Sequence, residues 1–194
     1  MEYIQQQSDS IEIGDIIPGK GVYAGKWSSK NQDGQPTGEK FSVYAAPEDL
    51  REGNGQSLAL SFNDAVVQVA QITNLLGHNG ASFGCDEEIG DAVIAGRYDQ
   101  LAKWFVPPAD VLVENLYENS YEGGFRYTFS TANNLHSADW YWSCTRHGDD
   151  RSQVASVQFS RGLCVEASWG GVPVWRSKDH FRLSVRPIRL EPIV

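Results

Sequence analysis

The chain's 194 residues are 41% apolar and 21% charged, with a net charge of −9. That length and balance suit one domain with its own core and exclude a protein whose main task is gripping phosphate backbones. No apolar run approaches the roughly 20 residues of a membrane-spanning helix, and residues 1–8 lack the basic start and apolar stretch of a secretory signal.

Residues 1–10 are polar and rich in Gln and Ser, an N-terminal arm that either docks on something else or frays, ahead of a single domain over 11–194. Two aromatic and β-branched runs, 21–27 and 40–46, flank a loop of turn-forming residues at 28–39, which predicts a hairpin. The composition of 51–57 is that of a surface loop. The clearest helix opens at Ser61, an N-cap followed by Asp64 where a carboxylate meets free amides. Ala65, Val69, Ile72 and Leu76 then form one apolar stripe, with Gly77 as the stop.

Residues 80–90 read as a solvated loop, with the acidic run Asp86, Glu87 and Glu88 weighed against a hard-cation site. A short irregular helix is expected over 91–101. Trp104, Phe105 and Val106 are cut by Pro107 and Pro108, the second of which suits the first turn of a helix over 109–117. Residues 118–137 predict an extended loop with at most one strand, at 125–129.

The block 139–189 is the strongest signal. Trp140, Tyr141 and Trp142 could form an exposed platform, but three such rings are more often the start of a strand that fills a core. A polar turn (146–152), an alternating run (153–159), a second run (163–167), a Gly/Ser/Trp loop (168–179) and a closing run (181–189) predict a meander of about four strands. Arg176, Arg182, Arg186 and Arg189 are expected on a solvated face or paired with carboxylates, with a local anion site as the alternative. The three cysteines, Cys85, Cys144 and Cys164, fit no even disulfide framework. A Cys144–Cys164 bridge is conceivable, but buried thiols in a reducing compartment are the expectation.

Several pieces together resemble one family: Gly14-Asp15 before a hairpin ending at Tyr44 to Asp49, a helix opening at Phe62, Trp104 to Pro108 before a helix, Tyr141 to Thr145, Gln158 to Gly162, and Val185 to Arg189. The chain is similar, over roughly residues 13–189, to the Lcl C-terminal family, a domain-of-unknown-function family of bacterial adhesins and phage structural proteins. Two departures are the loss of the threonine that caps the family's second helix, where this chain has Pro107 and Pro108, and Ser143-Cys144 in place of a serine pair. The resemblance implies an α+β, C-type-lectin-like fold: two main helices packed on antiparallel β-sheet, with long loops meeting the ligand.

Little points to catalysis. None of His78, His136, His147 and His180 has metal-helix spacing or stands in a nucleophile motif. His147 with Asp149 could do acid–base work, yet a polar turn between strands favours the same residues. Cys144 and Cys164 resemble, weakly, the paired cysteines of formylglycine-generating enzymes, which share the superfold. The calcium loop of sugar-binding lectins is not matched, so no metal and no cofactor are expected. Binding is the sharper reading: Trp169, Trp175 and Arg176 in the Gly-rich loop, with His147, Asp149 and Arg151, are the candidate ligand- or partner-binding residues.

The sequence thus predicts a non-enzymatic recognition or assembly protein, foremost a phage or prophage virion component in the tail or at the receptor. It would dock through its arm and present the loops 28–39, 118–137, 146–152 and 168–179 to a protein or glycan receptor or to neighbouring virion proteins. A homo-oligomer is expected, made in the cytoplasm, with no nucleic-acid partner and no membrane insertion. The alternative is an adhesin-like surface module, and a more distant one an enzyme of the formylglycine-generating type.

Overall fold

The N-terminal hairpin forms as expected and is longer than its apolar runs. In the computed structural model, which describes residues 10–30, 35–51, 58–126, 128–129, 140–159 and 173–193, strands β2 (Gly21–Lys30) and β3 (Pro36–Ala45) pair antiparallel. Part of the span read as loop is therefore strand. Ser29 is buried there, and its hydroxyl hydrogen-bonds that of Thr37 across the ladder. A two-residue β1 (Ile16–Ile17) flanks β2. On the other side β7 (Ile188–Pro192) pairs with β3, giving the order β1-β2-β3-β7.

A second antiparallel sheet holds β4 (Trp140–Arg146), β5 (Gln153–Gln158) and β6 (Pro173–Ser177) in sequential order. The protein is thus mixed α+β with antiparallel sheets. Two details of the expected four-stranded meander are corrected. The stretch holding Trp175 is strand β6 rather than loop, and the closing run joins the first sheet instead of the second. Residues 183–187 form isolated bridges rather than a ladder, Leu183 to Leu60 and Ser184 to Tyr141, and Pro187 offers no N–H to continue one. The expected run 163–167 lies outside the described residues.

Helix α1 (Phe62–Ala70) starts as predicted: the Ser61 hydroxyl accepts from the Asp64 N–H at 3.2 Å, and Phe62, Ala65 and Val69 are buried. It ends well before Gly77. The Ile72 N–H bonds back to Val69, and Gly80 then donates to Ile72, which draws the chain aside. Leu75 and His78 exchange hydrogen bonds at 3.0 Å around Leu76 (φ 52°) and Gly77 (φ 83°), the two left-handed positions of a type I′ turn. Gly77 therefore shapes a tight turn and stops no helix.

The acidic run read as a solvated loop is the first turn of helix α2 (Asp86–Ile94), where carboxylates face the positive end of the helix dipole. A short α3 (Tyr98–Leu101) follows. Helix α4 (Val111–Tyr117) is π-wound, with the Glu118 N–H reaching Val113, five residues back. The wide turn points Asn115 inward, and its amide donates to the Ala24 and Lys26 carbonyls, filling the bulge in β2. No strand forms at the described residues of 125–129; Gly123–Phe125 is a 3-10 turn instead.

The aromatic run fills the core as expected. Tyr141 and Trp142 are fully buried, Trp142 meets Phe62 edge-on, and its indole N–H donates to the Leu60 carbonyl at 2.7 Å. Of the four arginines, Arg182 pairs with Asp64 at the surface and Arg189 pairs with Glu191. Arg186 is fully buried and meets Asp49 at 2.6 Å, so all three pair with carboxylates, the second of the two expected arrangements.

Removing one partner of the buried pair strands the other charge. Asp49→Ala is expected to cost about 3–5 kcal/mol, whereas Arg182→Ala at the exposed pair should stay within about 1 kcal/mol. Urea unfolding with unchanged slope measures both.

Candidate functional site

Strand β4 runs from the core to the surface, and its last residues, Thr145 and Arg146, emerge between α2 and the start of α4. The Thr145 hydroxyl accepts from the Ala109 N–H at 2.9 Å and also hydrogen-bonds the Asp86 carboxylate, so one side chain ties both helix starts to the strand. Beside it, Asp110 accepts from the Trp27 indole at 3.1 Å and from Lys30 at 2.9 Å. The pairing holds the Lys30 ammonium above its ordinary pKa. These contacts carry the end of β2 to the same place.

Between these elements and β6 lies an open cleft of about 550 Å³. Trp27, Pro108, Ala109 and Ala155 form its apolar side. Asp86, Glu87, Asp91, Asp110, Lys30 and Arg146 supply its charges, and Ile94 and Trp175 stand on its rim at 70% and 42% exposure. A second recess of about 480 Å³ shares Glu87, Asp91, Arg146 and Gly148 with it, and adds Cys85, Glu88, His147 and Arg151. Arg146 thus stands between two hollows. Its Nε is buried with no hydrogen-bond partner among the described residues.

The electrostatics follow from burial and hydrogen bonding. Burial pushes the Asp86 carboxyl up, aided by the neighbouring Glu87 charge and opposed by the hydrogen bonds from Thr145 and the Arg146 backbone. Glu87 is lowered, first by its hydrogen bond with the Cys85 thiol and more weakly by Arg146. Burial and Glu87 drive the Cys85 thiol up to about 12, and burial raises Cys144 well above the usual thiol range. On the β4–β5 turn, Asp150 is held down at about 2 by hydrogen bonds from Ser152 and Gln153.

The sequence-predicted residues divide. His147 and Trp175 come together, ring centroids 5.0 Å apart and edge-on, with the His147 Nδ1 accepting from the Asp150 N–H. Arg151 lines the smaller recess. Asp149 is exposed on the turn and lines neither hollow. Strand alternation sends Arg176 to the face opposite Trp175, where its guanidinium lies over the Trp140 ring at 4.1 Å and the Phe181 ring at 4.6 Å, and its Nε donates to Ser156. Arg176 is therefore packed on the sheet and lines neither hollow. Trp169 and His136 lie outside the described residues.

Among the expected loops, 146–152 and the described part of 168–179 meet at the cleft, and 28–39 reaches it through Lys30. Residues 118–126 belong elsewhere, against the N-terminal segment. Asp86, Glu87, Arg146, Trp27 and Asp110 were missed. The acidic run preceding Ile89, Ala92 and Val93 was a readable helix start, while the convergence of β2, α4 and β4 depends on tertiary packing. Cys85 and Cys144 are free and buried, as expected, and Cys164 lies outside the described residues. Among the described residues, no three His, Cys, Asp or Glu side chains gather as a metal site.

Compared with known proteins, no family model matches the chain, and no curated protein or solved structure matches it either. The functional reading therefore rests on the geometry.

Carboxyl carbon NMR should find the pKa values of two aspartates displaced in opposite directions, Asp150 downward and Asp86 upward. Asp150, with its lowered pKa, contributes stability above the ordinary carboxylate range that disappears as pH falls through about 2. Asp86, with its raised pKa, contributes stability at low pH that disappears as pH rises through its shifted value. Site-resolved mass spectrometry is expected to find Cys85 and Cys144 unmodified by iodoacetamide at neutral pH in the folded protein, and modified once it is unfolded.

Proposed function

We propose that the chain is a non-enzymatic recognition or assembly domain that holds a partner's protruding group in the cleft between α2 and β6. One observation carries this reading. The cleft opens to solvent between two exposed apolar side chains, Trp175 and Ile94, while most of the charged groups beneath them are engaged within the protein. A tryptophan on the rim of a pre-formed hollow is the usual anchor of an interface.

The chemistry of the neighbouring groups favours binding over turnover. Catalytic thiols are partly exposed and have lowered pKa values, whereas Cys85 and Cys144 are buried with theirs raised. This weakens the formylglycine-generating reading. His147 spends its Nδ1 on the turn and its ring on Trp175.

As part of the same proposal, the α+β arrangement is a form of the C-type-lectin-like frame of the Lcl C-terminal family. The pairing of the C-terminal β7 with the N-terminal hairpin supports it, as does the separate β4–β5–β6 sheet. A virion tail or receptor-binding component is the setting we favour, with an adhesin-like module as the alternative. The cleft would serve either, presented to a glycan or protein on a cell surface or to a neighbouring virion protein.

The test presents labelled protein to an array of bacterial surface glycans, to envelope protein fractions and to virion tail proteins. Saturable binding is expected in one of them. Trp175→Ala should weaken it tenfold or more, about 1.4 kcal/mol, with an unchanged melting temperature. Binding in none of them, or equal binding by the variant, would sink the cleft reading.

A further inference from the structure

Away from the cleft, large apolar side chains stand exposed near the outer edge of the first sheet: Ile11 (51%), Ile13 (42%), Ile16 (67%) and Tyr121 (49%). Packing brings their two segments together. Gly14, at φ +93°, lies so close to the Glu122–Gly123 backbone that a Cβ there would come within 2.9 Å of it. Its carbonyl accepts from the Gly124 N–H at 2.7 Å. Ile16 packs against Gly124, and Ile13 covers Gly25. Contiguous exposed apolar side chains of this kind mark contact surfaces.

The backbone adds a second feature. Strand β1 ends the sheet and pairs only with β2. The Asp15 carbonyl accepts from Tyr23, and the Ile17 carbonyl from Lys20, both on the β2 side. Alternation therefore turns the N–H and C=O of Ile16 outward, away from the sheet.

We propose that this edge joins two copies of the chain, with Ile16 of each copy at a two-fold axis. Each Ile16 N–H donates to the other copy's Ile16 carbonyl, and Ile13 and Tyr121 pack around the pair. A second copy suits the surface better than an unlike partner. An outward N–H and C=O on one residue of an antiparallel edge complete each other across a two-fold axis, and an apolar patch matches itself under the same operation.

The size of the patch sets the strength. Four partly exposed side chains offer a few hundred Å² per copy, against about 800 Å² per partner in a standard interface, so the association is weak and concentration-dependent. The two segments carry three exposed acids, Glu12, Asp15 and Glu122, against one exposed base, Arg126, so their charge is acidic on balance. Copies therefore repel one another at low ionic strength and associate better as salt screens them. A basic partner on this surface would show the reverse dependence.

Sedimentation equilibrium of the full chain over a dilution series, at low and high salt, tests the proposal. The weight-average mass is expected to climb from 21.5 kDa toward twice that value with concentration, and to climb further at high salt. Ile16→Asp and, separately, Tyr121→Asp should hold it at the monomer value while the circular dichroism spectrum and melting temperature stay native. Trp175→Ala should leave the mass curve unchanged, which separates this edge from the cleft. A monomer at every concentration, an association that survives Ile16→Asp, or one that weakens with salt would each overturn it.

Discussion

The fold turns on one buried cation. Arg186 exposes none of its surface, and its guanidinium donates to Asp49 at 2.6 Å, to the Ala46 and Pro47 carbonyls at 3.0 Å, and to Thr128 through both hydroxyl and carbonyl. The Phe129 ring lies 4.2 Å from it. The other Asp49 oxygen accepts from the Tyr141 hydroxyl at 2.7 Å. Four separate stretches are thereby gathered: the end of the N-terminal hairpin, the segment before β4, β4 itself and the run into β7. Such a pair is no guarantee of stability, since desolvating two charges costs as much as their attraction returns, and a well-packed apolar replacement can be neutral or better. Its contribution is position. Only one arrangement of these stretches satisfies a planar fork of donors, so the two sheets are set against each other in a defined register.

That register is what brings the cleft into being. The run 183–190 is buried throughout; it bridges Leu60, Tyr141 and Phe105 before pairing with β3. With β4 located by Tyr141 and Trp142 in the core, the end of the strand delivers Thr145 and Arg146 to the starts of α2 and α4. Few of the polar groups at that junction are spare: Asp110 holds Trp27, Lys30 and its own helix start, and Asp86 holds Thr145. The floor of the hollow is consequently tied by internal hydrogen bonds, while Trp175 and Ile94 stand exposed at the rim.

Much of this was legible in the residues, and the failures have physical causes. Period-two runs located β2–β3 and β4–β5, and Ser61 with Asp64 located the start of α1, because capping and pleating are local effects. The end of α1 was misplaced because Ile72 and Leu76 continue the apolar stripe, while the decision to leave the helix came from a type I′ turn that needs left-handed geometry at Leu76, a residue that rarely adopts it. Helix α2 was missed because three consecutive acids read as solvated loop, and Gly90 as a boundary. Both readings weigh composition over the helix dipole. Of the candidate residues, Trp175 from the Gly-rich loop and His147 and Arg151 from the polar turn line the two hollows. Arg176 was grouped with Trp175 because both were placed in a loop, where alternation carries no information, whereas on β6 they face opposite ways.

Strand β6 carries an exposed ring and a packed side chain on successive residues. Along it, Trp175 faces outward to the cleft while Arg176, one residue on, is clamped between Trp140 and Phe181 and tied to Ser156. The exposed ring therefore rises from a backbone whose neighbouring side chain is immobilised on the opposite face. An aromatic anchor with only two side-chain torsions, carried on a strand held in this way, loses little conformational freedom when a partner covers it. On the proposed reading, the packing that holds Arg176 on the opposite face is what makes Trp175 an effective anchor.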